Sequence, residues 1–459
     1  MSETIVIEEK PGLVARARQR VASIASGDTE NARTQRDALV AFLVRAASAG
    51  LIYLTQIVLA RWMGAHEYGI YVFVWTMVMV LGGITHLGLS IAVMRLLPAY
   101  FEKGATDLYR GLVRGARWFA FINGVVVAGL AWLAITWYGA RFSSPYVGPA
   151  LLILAAIPFY AVTDVQDGIG RARGWMAVGL VPPYIVRPLV LLGAATVAHY
   201  AGFPDTAITA AAAAIFGTVV ALALQTWFVQ KRIGAEVGAG PRAYELRGWI
   251  TSSLPLLAMY VAELVMQNAD VLIVSAYLTP EDVGRYFAAA KTMALVLFIH
   301  YAVGSAAAKR YSALNARSAG PELEAFVKQA VQWTFWPSLV TAVAILALGK
   351  PLLWMFSPKF VDAYPLMFVL AIGYLFRAAM GPAEFLLHTV GEQKRCAAVL
   401  AFAAAVNVAL GFLLVPLFGV IGAATSTATA MAIAAVLNGV VARRRLGIEL
   451  SIIEALKKR

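Results

Sequence analysis

Long apolar runs, each interrupted by a few polar or turn-forming residues, alternate along nearly the whole chain. Twelve are long enough to read as spans: near 38–60, 68–95, 116–139, 148–169, 176–199, 206–229, 249–276, 283–308, 326–348, 364–389, 396–416 and 420–441. About 20 apolar residues in a helix cross roughly 30 Å of hydrocarbon. The pattern therefore predicts an all-α polytopic membrane protein with about 12 transmembrane helices. The first 37 residues are polar and basic, which argues against a cleavable signal peptide.

Two of the interruptions resemble one another. Residues 59–71 read "LARWMGAHEYGIY" and residues 274–288 read "VSAYLTPEDVGRYFA". Gly284 and Tyr286 repeat Gly69 and Tyr71 at an offset of 215 (284 − 69). At the same offset Ser90, Ala92 and Arg95 meet Ser305, Ala307 and Arg310, and Trp118 meets Trp333. Leu151, Ala156 and Ile157 likewise meet Leu366, Ala371 and Ile372, and beyond residue 170 the register is lost. Six predicted spans separate the copies, an even number, so both run the same way through the bilayer as a parallel repeat. The expected organisation is a basic tail (1–37), a six-helix N-lobe (38–230), a linker (231–248), a six-helix C-lobe (249–446) and a C-terminal tail (447–459). Two related lobes about a central cleft form a chassis for alternating access. The terminal stretches "GLVARARQRVASIAS" and "IELSIIEALKKR" place apolar residues beside Lys or Arg, as interfacial helices or solvated basic tails do.

Composition fits this picture: 61% of residues are hydrophobic, only 14% are charged, and the mean hydropathy is +0.74. The net charge of +13 points to membrane orientation rather than to nucleic acid. With the N-terminus inside, tails and inward connections hold 29 of the 38 Lys and Arg residues. The outward connections hold four: Arg61, Arg141, Lys350 and Lys359. The positive-inside rule then puts both termini in the cytoplasm. The single cysteine, Cys396, excludes an intrachain disulfide and a cysteine-cluster metal site.

The first seam, followed by "HLGLSIAVMRLLPAY" (86–100), resembles the polysaccharide-transporter (Wzx-like) branch of the MOP flippase superfamily. The resemblance implies a MOP/MATE-like fold in a bacterial plasma membrane. It further implies a flippase that moves an undecaprenyl-diphosphate-linked oligosaccharide to the outer leaflet for surface polysaccharide synthesis. No enzymatic activity or organic cofactor is implied, and a proton or sodium gradient is the open choice for resetting. Membrane lipids and other glycan-assembly proteins are the expected partners. The alternatives are a MATE-type drug or cation antiporter, an oligosaccharide polymerase or ligase, and a scaffold for glycan assembly. A polymerase or ligase needs a long outer loop, and the longest outward connection here is 349–363.

Charges inside spans cost about 2.5–3.5 kcal/mol each on insertion scales and usually face a cavity or a partner. Four cations lie well inside: Arg45, Arg187, Lys291 and Arg377. They are candidates for a cationic cleft that takes a diphosphate, against neutralisation by carboxylates or snorkelling to headgroups. The acids divide into Asp164, Asp167 and Glu384 near the inner ends of spans, and Glu263 and Asp270 deeper in "AELVMQNADV". They are candidates for an inner gate or for ion coupling, with helix-end carboxylates as the alternative. His86, His300 and His388 fit no metal spacing and are expected to hydrogen bond within the helix packing. "DGIGRARG" (167–174) reads as a tight turn rather than a phosphate loop, since it follows a membrane helix. Pro182, Pro183 and Pro188 should kink the fifth span beside Arg187.

Overall fold

The computed structural model describes residues 30–139, 144–317 and 319–457, with side chains from residue 43 onward. The amphipathic stretch 12–26 and Arg141 lie outside these residues. Among the described residues every regular element is helical. The first half holds α1 (Glu30–Thr85), α2 (Leu89–Glu102), α3 (Thr106–Gly139), α4 (Val147–Ile153), α5 (Ala156–Ala172), α6 (Met176–Val181), α7 (Arg187–Tyr200) and α8 (Ala207–Val237). The second half holds α9 (Leu246–Tyr277), α10 (Pro280–Met293), α11 (Leu297–Ala316), α12 (Gly320–Ala347) and α13 (Gly349–Phe356). It continues with α14 (Tyr364–Ala379), α15 (Ala383–Thr389), α16 (Gln393–Leu446) and α17 (Ile452–Leu456).

Among the described residues nine helical stretches are long and apolar enough to cross a membrane, and α4 with α5, bent by 46°, makes a tenth. Two of the nine double back at a glycine. Gly64 (φ 75°) interrupts α1 and Gly419 (φ 59°) interrupts α16, and only glycine adopts this left-handed backbone without steric cost. The Tyr68 hydroxyl donates to Gln56 Oε1 at 2.9 Å, although twelve residues of unbroken helix would rise about 18 Å. A Cβ at Gly422 would lie 2.2 Å from Leu414 O. Each of these two stretches is therefore a hairpin, and the ten spans become twelve crossings, as the apolar pattern predicts.

The Gly64 hairpin and the α9–α10 turn lie at one end of the bundle, the seam face. The linker after α8 and the tail after α16 lie at the other, the terminal face. At the seam face the two repeats meet directly. A Cβ on Gly69 would fall 1.7 Å from Pro280 O, and one on Gly284 would fall 2.9 Å from Ala65 O. Tyr71 and Tyr286, the partners of these glycines in the motif, are fully buried. His66 Nδ1 lies 2.8 Å from Glu281 Oε1 across the contact, and Arg61 reaches Met355 O at 3.3 Å. Thr279 and Asp282 cap the start of α10 reciprocally, which satisfies its free amides and fixes the turn.

Burial is distributed unequally between the two ends. Around the seam face a single apolar core runs through both halves of the chain, from Ile57 and Tyr68 to Phe287, Phe356 and Ala424. Toward the terminal face it divides. One cluster holds Leu89, Tyr109, Ile169 and Trp249, and a separate one holds Tyr311, Phe326, Leu387 and Ala442. Between them Leu43, Arg45 and Leu54 of α1 and Tyr301 of α11 are exposed. The lobes are joined at the seam face and parted at the terminal face, which leaves a cleft open to one side. The α2–α9 contact persists alongside this cleft: a Cβ on Gly88 would meet Ser253 O at 2.6 Å, so these helices touch backbone to backbone.

Candidate functional site in the interlobe cleft

On the N-lobe side α5 carries the site. Leu87 (φ 48°) and Gly88 (φ 76°) turn the chain sharply after α1 and aim the fully buried His86 at Asp164. His86 Nδ1 accepts from Gly88 N at 3.2 Å. The proton is thus on Nε2, which donates to Asp164 Oδ2 at 2.7 Å. Tyr260 of α9 donates to the same oxygen at 2.8 Å, linking the lobes through one carboxylate. One turn further along, the buried Asp167 pairs with Arg171 at 2.7 Å. The close approach of Gly170 to Gly179 lets α6 pack over that pair, since a Cβ on Gly170 would sit 2.6 Å from Gly179 Cα.

Arg187 follows a π-helical turn over Pro182–Val186, so the predicted kink is one wide turn and α7 resumes at the arginine. Its guanidinium lies 5.3 Å from the Trp75 ring and 5.4 Å from the Tyr160 ring. No carboxylate among the described residues lies within 4 Å of it. Cation–π contacts of this kind contribute about 0.5–2 kcal/mol and leave the N–H edges free for an anion.

On the C-lobe side Arg377 pairs with Glu384 at 2.7 Å. The buried His300 lies 4.0 Å from the same carboxylate, with both ring nitrogens unpartnered. Glu263 of α9 is exposed within the cleft and, among the described residues, accepts only from Gln267, at 3.2 Å. Arg45, Arg171, Arg377 and Glu384 all lie within electrostatic range of it.

The cations that the sequence singles out thus divide. Arg45 and Arg377 face the cleft from opposite lobes, and Arg187 lies in its N-lobe wall. Lys291 does not join them. It belongs to the joined half of the molecule, 5.0 Å from the Phe287 ring and in electrostatic range of Asp270. Asp270 is buried and accepts from Tyr286 OH at 2.7 Å and from Val271 N at 2.8 Å. Sequence reasoning missed Arg171 altogether, because "DGIGRARG" read as a turn. Only Arg173 and Gly174 (φ 69°) make that turn, while 167–172 end α5, and the Asp167–Arg171 spacing of four residues was the available signal.

The profile of the polysaccharide biosynthesis protein family matches residues 35–308, and the MatE profile matches residues 255–413. No curated protein matches the chain by sequence. Among solved structures, a multidrug-resistance MATE transporter of the MOP superfamily in an inward-facing conformation has a TM-score of 0.72 at 14% identity, covering 88% of this chain and 98% of that one. An outward-facing conformation of such a transporter gives 0.58 at 16%, covering 89% and 95%. The lipid II flippase MurJ, in an inward closed conformation, gives 0.70 at 14%, covering 88% and 87%. At these identities the likeness establishes the fold.

Proposed function

Because the chain belongs to the polysaccharide biosynthesis protein family, within the MOP superfamily of transporters and flippases, we propose that it carries a polyprenyl-diphosphate-linked oligosaccharide between leaflets. The distribution of Lys and Arg supports a cytoplasmic terminal face, and with that orientation this conformation is the one that loads substrate. The observation that carries the reading is a pair of cleft arginines left without a carboxylate partner. Arg171 and Arg377 neutralise Asp167 and Glu384, while His86 and Tyr260 hold Asp164. The four arginines and the carboxylates Asp164, Asp167, Glu263 and Glu384 balance formally, but Arg45 and Arg187 have no carboxylate within 4 Å among the described residues and keep their guanidinium edges free. The planar fork of Arg matches phosphate oxygens two at a time. Arg377 supplies the anion's contact on the opposite lobe, so a bound diphosphate favours closure of the terminal face. Asp164 and Glu384 are the gate, Asp164 already bonded across the lobe boundary to Tyr260 and Glu384 bonded within its own wall to Arg377. Lys291, packed on the Phe287 ring in the joined half, leaves phosphate binding to the arginines.

The deciding experiment places purified protein in liposomes with a fluorescent polyprenyl-diphosphate sugar and measures its leaflet exchange by quenching from outside. Exchange should exceed that of empty liposomes and fall when Arg45 or Arg187 becomes Gln. Exchange equal to the protein-free rate would remove the flippase reading. A cation antiporter of the same fold is the second reading, favoured by the exposed Glu263 and by the MatE match. Protection of Glu263 from carbodiimide by a lipophilic cation, but not by a lipid diphosphate, would establish it instead.

Orientation has its own test. In a Cys396-free background, Lys359→Cys should react with an impermeant maleimide in intact cells and Gly320→Cys should not. Both sites are exposed, and a side chain at Gly320 meets open space. The reverse pattern would turn the protein over and make this cleft open outward.

A further inference from the structure

Outside the cleft, on the flank of the C-lobe, a groove of about 540 Å³ opens between α11 and α12. Its walls are Arg310, Ala325, Phe326, Lys328, Gln329 and Gln332, with Glu322 at the rim. The Arg310 guanidinium rests 4.6 Å from the Phe326 ring. Arg310 is exposed, and no carboxylate among the described residues lies within 4 Å of it. Lys328 is tied to Glu324 at 3.0 Å and to Glu454 at 3.5 Å.

The depth of the groove follows from α12. Its 28 residues make a rod about 42 Å long, roughly 12 Å more than the hydrocarbon needs. The exposed stripe of α12 changes character along its length: Glu322, Ala325 and Gln329 give way to Trp333, Trp336 and Val340. Exposed tryptophans mark the interface. Arg310 and Gln329 therefore stand at phosphate level and the indoles at the head of the acyl chains.

The repeat supplies an independent observation. The N-lobe position equivalent to Phe326 is Gly111 (326 − 215), and a Cβ there would sit 1.7 Å from Ala243 O. The linker fills that groove, held by Arg110 Nε donating to Pro241 O at 2.9 Å and by Ala243 N donating to Asp107 O at 3.0 Å. In the C-lobe the tail makes the equivalent crossing beneath α12, where Gln332 Nε2 donates to Ala455 O at 2.5 Å. Phe326 stands where the glycine would admit a backbone, so the C-lobe groove stays open. One lobe plugs its groove with peptide and the other presents a cation, two amides and an aromatic edge at headgroup depth.

We propose that this groove binds one anionic phospholipid, its phosphate on Arg310 and Gln329 and its acyl chain along Trp333 and Trp336. The site is independent of what the cleft carries. The full chain is purified in detergent doped with phosphatidylglycerol or phosphatidylcholine, and lipid retention is read by native mass spectrometry. The unaltered protein should keep one phosphatidylglycerol in preference to phosphatidylcholine. Arg310→Gln should lower that occupancy about tenfold, the loss expected for one charge-assisted phosphate contact. Gln329→Glu should do the same, and both should keep the unaltered melting temperature in lipid-free detergent. Arg444→Gln, which removes an exposed charge outside the groove, should leave retention unchanged. Equal retention of the two lipids, full retention by Arg310→Gln and Gln329→Glu, or an equal loss with Arg444→Gln would each overturn the proposal.

Discussion

Arg45→Gln and Arg377→Gln are expected to fail in different ways. Arg45 is exposed in the cleft, with no carboxylate within 4 Å among the described residues, so its removal strands no partner. A hydrogen bond to a charged group contributes about 1.5–3 kcal/mol, and about 1.4 kcal/mol is a tenfold change in affinity. Arg45→Gln should weaken binding of a lipid diphosphate by roughly tenfold to a hundredfold and leave the melting temperature unchanged. Arg45→Lys should recover only part of that loss, because a point charge replaces a bidentate fork. Arg377 stands 2.7 Å from Glu384, with the side chains 20% and 29% exposed. Removing it leaves a carboxylate against an apolar wall and beside the unpartnered His300. Breaking a fully buried pair costs about 3–5 kcal/mol, and access to the cleft reduces this to about 1–3 kcal/mol. Arg377→Gln should therefore melt earlier as well as bind less. Adding Glu384→Gln should restore the melting temperature without restoring binding. Normal binding by both Arg→Gln single variants would refute the diphosphate site, and equal melting by the unaltered protein, Arg377→Gln and the double variant would refute the pairing.

The fold is largely legible in the sequence because hydrocarbon imposes one rule, a run of about 20 apolar residues for each crossing. All twelve predicted runs become crossings, including the four paired in the hairpins at Gly64 and Gly419. The seam motif is legible only as a repeat. Its physical reason, two glycines that let the backbones of the repeats touch, emerges when Pro280 O is found where a side chain on Gly69 would go. Charges were harder to place because their depth in a span does not say which wall they face. Lys291 and Arg377 have similar depths, yet one lies in the joined half beside Asp270 and the other in the open half beside Glu384. Arg171 was hidden by the opposite error. The glycine-rich stretch reads as one turn, yet its first six residues stay in α5 and only Arg173 and Gly174 turn.

The two histidines show how the repeat survives without sequence identity. Position 86 shifted by 215 is 301, one residue from His300. In the N-lobe His86 closes on Asp164 at 2.7 Å; in the C-lobe His300 stays 4.0 Å from Glu384, which Arg377 has claimed. The N-lobe carboxylate is tied to Tyr260 across the lobe boundary and the C-lobe one is not. On the alternating-access reading the Tyr260–Asp164 bond makes the α5–α9 side the tethered one, and the α1–α11 side of the cleft is expected to swing.

Under the alternating-access reading that motion ends with the seam face parted, and Gly69→Ala is expected to drive it there. Gly69 has an ordinary helical backbone, so alanine brings no conformational penalty of its own. Its Cβ would stand 1.7 Å from Pro280 O and 3.1 Å from Gly284 N, both main-chain atoms that no rotamer change can move. The seam helices must part by an ångström or more, and overpacking of this kind costs about 1–3 kcal/mol. The cost falls only on the state in which the seam is closed. The equilibrium should therefore shift toward the seam-open state by roughly 5- to 150-fold. Gly284→Ala, whose Cβ would approach Ala65 O at 2.9 Å, should shift it less, and Gly50→Ala, which meets open space, should not shift it. Two reporters read the change in a Cys396-free background. Thr292→Cys, buried under the seam where Tyr53 OH reaches the threonine at 3.0 Å, should become reactive to an impermeant maleimide from the seam side. Tyr301→Cys, exposed in the present cleft, should lose reactivity from the terminal side. The two changes must appear together, since a seam that opens without closure of the other face makes a pore, and a pore would leak protons that a dye in the liposome registers. Unchanged reactivity at both positions in a folded Gly69→Ala protein would mean that the glycine contact is static packing, and that the lobes part elsewhere.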